Sequence, residues 1–134
     1  MLEAKFLNSL EVESIDDGKW KLTKPLGYES VLFDTPIIAP LGFVTDFASV
    51  PRVPIAYMLF GDRAHHESVI HDYLYQTHLT SKAIADKIFL EAMKVRGKSL
   101  FIRSAMYLGV KIGGCKSYRT GKDRYLILNK NGNN

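Results

Sequence analysis

The chain has 134 residues and a mass of 15.1 kDa, which is the size of one domain and excludes a two-domain enzyme. Its 46% hydrophobic and 24% charged residues exclude a disordered or fibrous protein. The net charge of +4 is unevenly placed, because residues 1–50 hold 8 acidic and 4 basic residues, whereas residues 51–134 hold 6 acidic and 14 basic ones.

The N-terminal part of the chain has the alternating apolar pattern of short antiparallel strands. Residues 10–13 and 19–22 predict a hairpin, since the Asp17-Gly18 step lies between alternating residues. Two further strands are predicted at about residues 28–33 and 37–39. We therefore expect one small antiparallel sheet within residues 1–50.

Beyond residue 51 the apolar residues follow a helical period. The pattern predicts a first helix over about residues 63–76, a second that starts after the capping candidates Thr80 and Ser81 and ends at Gly97, and a third over about residues 99–112. The expected fold class is α+β, with a small N-terminal antiparallel sheet followed by three helices.

These patterns fit a single domain over residues 1–134. Its predicted parts are a β-rich half (1–50), a helical half (51–115) and a basic tail (116–134). The third helix is apolar over more than one face, which favours a central core helix and leaves an interfacial or partner-docking surface as the alternative.

His71 and Asp86 lie equally far along the chain from a predicted helical bend at His78 and Leu79, so they face each other across two antiparallel helices. Tyr75 lies one turn after His71, within reach of the same carboxylate. A histidine held by a carboxylate is the arrangement of a general base that draws a proton from water. The structural alternative is a buried polar network that keeps two helices in register.

A calcium site is predicted beside this pair. Asp72, next to His71, points about 100° further around the helix, and Asp46 with the carbonyl of Phe47 supplies more oxygen ligands. A calcium ion there would polarise an ester carbonyl. The alternative for each carboxylate is a cap that accepts backbone N–H groups in a turn or at a helix end.

Two further histidines, His65 and His66, precede His71 and invite comparison with metal-dependent phosphohydrolases. That pattern takes ligands from helices far apart in the chain, whereas these residues share one hairpin, so we expect both to be exposed at the helix start.

Cys115, the single cysteine, excludes an internal disulfide and fits a reducing compartment. With no apolar signal segment at its start, the chain is expected to be made in the cytoplasm.

The strings GFVTDFASVP (residues 42–51) and HDYLY (residues 71–75), together with the helix around Asp86, resemble the uncharacterised phage and prophage family labelled domain of unknown function 1353. The resemblance covers most of the chain from about Trp20 to Gly113. It implies a phage or prophage origin and transfers no activity.

The helical hairpin is also similar to the core of secreted and parvoviral phospholipases A2, over about 30 residues. This resemblance implies that His71 is the base, Asp72 a calcium ligand, Tyr75 a support for the carboxylate and Asp86 the orienting acid. Asp46 and Phe47 take the place of the calcium loop. The chain departs from those enzymes in having no disulfides, no glycine-rich loop of the usual kind and a shorter hairpin.

Two functions follow as expectations. The first is a phage-encoded ester hydrolase, Ca²⁺-dependent and acting on phospholipid or an anionic membrane surface, which suits the basic helical half. The second is a non-catalytic virion or tail-associated structural protein, which has the same fold without the chemistry and contacts other virion proteins. Nucleic acid is a less favoured partner, because the lysines and arginines form a patch and no recognisable motif.

Overall fold

The computed structural model describes residues 3–16, 18–46 and 66–129. Within these ranges six short strands come first: β1 (Lys5–Phe6), β2 (Val12–Asp16), β3 (Lys19–Leu22), β4 (Leu26–Glu29), β5 (Ile37–Ala39) and β6 (Val44–Thr45). Five helices follow: α1 (His66–Thr77), α2 (Lys82–Val95), α3 (Leu100–Gly113), α4 (Cys115–Arg119) and α5 (Gly121–Asn129). The predicted α+β class is confirmed.

The described strands form two antiparallel sheets where the sequence predicted one. The first has the order β1-β4-β5, with Tyr28 opposite both Phe6 and Ile37. The second has the order β2-β3-β6, with Trp20 opposite both Ser14 and Thr45. The edge strands β1 and β6 have two residues each, too few to show a period in the sequence.

The predicted hairpin and the strand at residues 37–39 are present as β2–β3 and β5. Gly18, in the hairpin turn, has a φ of 72°, a conformation that favours glycine, while Asp17 lies outside the described residues. The strand predicted over residues 28–33 ends earlier, at Glu29. Beyond it the Ser30 hydroxyl accepts a hydrogen bond from the Leu32 N–H at 3.0 Å, which turns the chain locally.

The second and third helices begin and end close to their predicted bounds. Ser81 and Ser99 each accept a hydrogen bond from the backbone N–H three residues on, at 3.3 and 3.2 Å. α2 ends before Gly97, whose φ is 78°. His78 has a φ of 54° at the predicted bend between α1 and α2, so the chain reverses there.

The central helix of the fold is α1. Ten of its twelve residues are buried, because α2 and α5 pack on it and the strands β4, β5 and β6 lie against it. The expectation that the third helix is the core helix was wrong. In α3 only Met106 and Val110 are buried, against α2, while Phe101 and Ile112 are 76% and 78% exposed.

The segment predicted to be a basic tail carries the helices α4 and α5. α5 packs on α1 and β6, and its last residue, Asn129, is buried. The Asn129 side chain accepts a hydrogen bond from the Val44 N–H at 2.8 Å and donates one to the Gln76 side chain at 3.3 Å. Residues 116–129 are therefore part of the folded domain and close one side of α1.

Candidate functional site

The first cluster of polar side chains lies between α1 and α2. The Nε2 atom of His71 is 2.9 Å from Oδ1 of Asp86, and both side chains are almost fully buried. The hairpin geometry places them at the same height on antiparallel helices, as the sequence predicts. Tyr75, one turn after His71, donates its hydroxyl to the same Oδ1 at 2.6 Å.

The other oxygen of Asp86 is held by Lys82. The Lys82 ammonium lies one turn before Asp86 on α2 and donates to Oδ2 at 2.8 Å. It also donates to the backbone carbonyls of Val110 and Lys111 at the end of α3, at 2.9 and 3.2 Å. One buried carboxylate therefore connects the side chains of α1 and α2 to the C-terminal turn of α3.

The pKa shifts in this cluster keep the histidine neutral and the carboxylate ionised. Burial lowers the pKa of His71, although Asp86 acts in the opposite direction. Burial opposes the ionisation of Asp86, but the hydrogen bonds from His71, Lys82 and Tyr75 hold its pKa below the ordinary value. Burial and the hydrogen bond to Asp86 raise the pKa of Tyr75, so this phenol stays a donor.

These protonation states fix the tautomer of His71. Because an ionised carboxylate only accepts hydrogen bonds, Nε2 of His71 carries the proton that it shares with Asp86. Nδ1 is then the basic nitrogen of the ring. The rings of Tyr75 and Phe89 pack against the imidazole, with centroids at 4.1 and 4.5 Å, and fix its plane.

A second cluster surrounds Asp72, which points about 100° further around α1 than His71. Its Oδ2 accepts from the Thr45 hydroxyl at 2.5 Å and from the Gln76 amide at 2.7 Å, and its Oδ1 accepts from the Arg124 guanidinium at 3.0 Å. Burial raises the pKa of Asp72 and Asp46 adds to this rise, whereas Thr45, Arg124 and Gln76 oppose it. This carboxylate is completely buried.

Of the three predicted calcium ligands, Asp72 is buried and Asp46 is partly exposed, while Phe47 lies outside the described residues. Asp72 does not fit a calcium site as it stands, because its oxygens already accept three hydrogen bonds. The Arg124 guanidinium lies between Asp72 and Asp46, with its Nε 4.0 Å from Oδ1 of Asp46. Calcium binding itself stays a prediction.

The structure brings together three of the predicted site residues, His71, Asp86 and Tyr75, whereas Asp72 has its own set of hydrogen-bond partners. Lys82 and Arg124 were missed. The spacing of four residues between Lys82 and Asp86 is a sequence signal for an ion pair on a helix. No such signal exists for Arg124, which is 52 residues from Asp72.

His66 is not exposed at the helix start, as the sequence predicted, but is 7% exposed. It packs on the first sheet: its Nε2 accepts the Leu10 N–H at 3.0 Å, and its ring meets the edge of Phe6 at 5.2 Å between centroids. His65 lies outside the described residues. In residues 3–16, 18–46 and 66–129, no three or more His, Cys, Asp or Glu side chains are grouped as a metal site.

The fold and the two clusters define an α+β protein with a buried histidine–carboxylate centre on its central helix. A family model described as a protein of unknown function (DUF1353) matches residues 20–110, and the chain belongs to that family. No curated protein and no solved structure matches the chain. None of the helices in the described part is long and apolar enough to cross a membrane.

Proposed function

We propose that the protein is an ester hydrolase in which His71 is the general base. The observation that carries this proposal is the contact of 2.9 Å between Nε2 of His71 and Oδ1 of Asp86, with Tyr75 bound to the same oxygen at 2.6 Å. A carboxylate in this position fixes the tautomer and stabilises the imidazolium that forms when the base takes up a proton.

The reaction follows from the basic nitrogen of His71. Nδ1 takes a proton from water as the water oxygen bonds to the ester carbonyl carbon. When the tetrahedral intermediate collapses, the carbon–oxygen bond to the alcohol breaks, and the imidazolium returns the proton to the leaving alcohol. Asp86 stays ionised throughout, because the donors around it favour its charged form.

The substrate class proposed is a phospholipid in an anionic membrane, met in a phage or prophage context. Residues 51–134 carry 14 basic and 6 acidic side chains, and among the acidic ones Glu67, Asp72 and Asp86 are buried. Two of these carboxylates are paired inside the protein with Lys82 and Arg124, and the helical half keeps a net positive charge by composition, which favours an anionic surface. The partial resemblance to phospholipases A2 supports the same substrate.

The test is fatty-acid release from vesicles of phosphatidylglycerol and phosphatidylcholine, measured with calcium and with EDTA. We expect release by the unchanged chain and a loss of about 100-fold or more in His71→Gln, the range of general-base catalysis. His78→Gln is the matched control, because His78 also bonds a neighbour, the Tyr118 carbonyl at 2.6 Å, but contacts no carboxylate. Absence of release over the whole lipid panel would reject the proposal.

A second candidate function is a virion or tail-associated structural protein without catalysis. It is favoured by the burial of His71, which is 0% exposed, and by the way Lys82 extends the network to α3. Here the polar cluster only holds three helices together. This candidate predicts a fixed number of copies in purified particles, loss of stability in Asp86→Ala and no ester hydrolysis by any variant.

A further inference from the structure

The position of Arg124 is the feature of the second cluster that the proposed function does not use. Its guanidinium reaches from α5 to α1, where Nη2 donates to Oδ1 of Asp72 at 3.0 Å. Nη1 donates to the Ser117 carbonyl at 2.6 Å, and Nε lies 4.0 Å from Oδ1 of Asp46. One positive charge thus lies between the two carboxylates that sequence reasoning assigned to a divalent cation.

Asp72 also accepts hydrogen bonds from donors other than Arg124. Its Oδ2 accepts from Thr45 and Gln76, so a calcium ion would have to displace neutral donors as well as the guanidinium. The Arg124 side chain is 85% buried, so displacing it from Asp72 would leave a largely buried positive charge without that partner. Unpaired buried charge is among the most costly features in a folded protein.

The guanidinium is held in place by the packing of α5. In the last turn of this helix, the Asn129 side chain accepts a hydrogen bond from the Val44 N–H at 2.8 Å and donates one to the Gln76 side-chain oxygen at 3.3 Å. Gly121, at the start of α5, lies so close to α1 that an added Cβ would collide with the Tyr75 carbonyl. Arg124 is therefore anchored from both ends of its helix.

We propose that the Arg124 guanidinium is a built-in cation that takes the place of a divalent metal between Asp46 and Asp72, so that the native chain excludes calcium there. Arg124 is a positioning residue in this role, since it acts on Asp72 and not on His71. Exclusion of calcium does not depend on the proposed hydrolysis. If both hold, fatty-acid release should proceed in EDTA as well as in calcium.

The experiment compares melting temperatures of the full chain with calcium chloride and with EDTA. We expect no calcium effect in the unchanged chain and none in Arg124→Lys, which keeps the charge. In Arg124→Gln that positive charge is removed, so we expect a lower melting temperature that calcium raises by about 8–13 °C at a hundredfold excess over Kd. Arg119→Gln, which removes an exposed charge from α4, is the control.

Calcium stabilisation of the unchanged chain that disappears in Asp72→Asn would overturn the proposal, because Arg124 would then give way to the metal. A folded Arg124→Gln that does not respond to calcium would overturn it too, since the carboxylates would not form a cation site at all. The melting experiment needs no substrate. Failure of the vesicle assay would therefore reject the proposed hydrolase, while the role of Arg124 in excluding calcium could still be tested.

Discussion

Replacement of Tyr75 by phenylalanine removes one donor from Asp86 and little else. The hydroxyl donates to Oδ1 of Asp86 at 2.6 Å inside the protein. Phenylalanine keeps the ring, which packs on His71 at 4.1 Å and meets Tyr118 edge-on at 5.2 Å between centroids. Because hydrogen bonds to charged groups contribute about 1.5–3 kcal/mol, we expect Tyr75→Phe to lower the free energy of unfolding by about that amount.

The matched control is Tyr118→Phe, which removes a hydroxyl bound to a neutral group. Tyr118 donates to the Thr80 carbonyl at 2.7 Å, a bond of similar length. For a neutral acceptor the expected loss is about 0.5–1.5 kcal/mol. In a chain of this size 1 kcal/mol corresponds to roughly 3–5 °C in melting temperature, so thermal or urea unfolding at neutral pH separates the two variants.

The charge on Asp86 gives this prediction a second, pH-dependent signature. The lowered pKa of Asp86 means that its contribution to stability is present above its ordinary value of 3.8 and disappears as the pH falls through the folded pKa. The difference between Tyr75→Phe and the parent chain should therefore shrink in acid. Equal losses in Tyr75→Phe and Tyr118→Phe at neutral pH would refute an ionised Asp86 as the centre of this cluster.

Two further changes test the burial of α1. Burial lowers the pKa of His71 below 6.5, so acid protonates the unfolded chain first: stability is full above pH 6.5 and falls below it by up to about 1.4 kcal/mol per pH unit. Urea titrations should show this slope in the parent and not in His71→Gln, and an equal slope in both would assign it to other groups. Gly121→Ala drives a Cβ into the Tyr75 carbonyl and should cost about 1–3 kcal/mol, whereas Gly113→Ala meets nothing within 4 Å and should leave the melting temperature unchanged or slightly higher. A tolerated Gly121→Ala would contradict the tight approach of α5 to α1.

The pairing of His71 with Asp86 could be predicted because all its determinants are local. A bend at His78 and two helices with regular periods set the heights of the two residues, and the spacing of four residues placed Tyr75 on the same face. The starts of α2 and α3 could be predicted for the same reason, since Ser81 and Ser99 each accept a hydrogen bond from the backbone only three residues away.

The other half of the site depends on contacts between distant parts of the chain. Arg124 reaches Asp72 across 52 residues from α5, a helix with little amphipathic character, so nothing in the local sequence marks the pair. The sheets split for a similar reason: β3 pairs with β6 and β1 with β4, over loops that carry no register signal.

The misassigned α3 shows a different limit of sequence reasoning. Its apolar residues follow two stripes, and a periodic pattern does not tell which stripe has a partner. Met106 and Val110 pack on α2, while Phe101, Leu108 and Ile112 are exposed along the opposite side. α1, by contrast, is buried together with polar residues such as Asp72, which accepts hydrogen bonds from Thr45 and Arg124 on other parts of the chain.

His71 and Asp72 are neighbours on α1 and point about 100° apart, so each begins a separate network. The first runs through Asp86 to Lys82, and the second runs from Asp72 to Arg124. Asp86 and Asp72 thus each contact a cation of their own, Lys82 and Arg124. His71 is held neutral by burial, against the opposing effect of Asp86, and Asp86 fixes which nitrogen of the ring carries the proton.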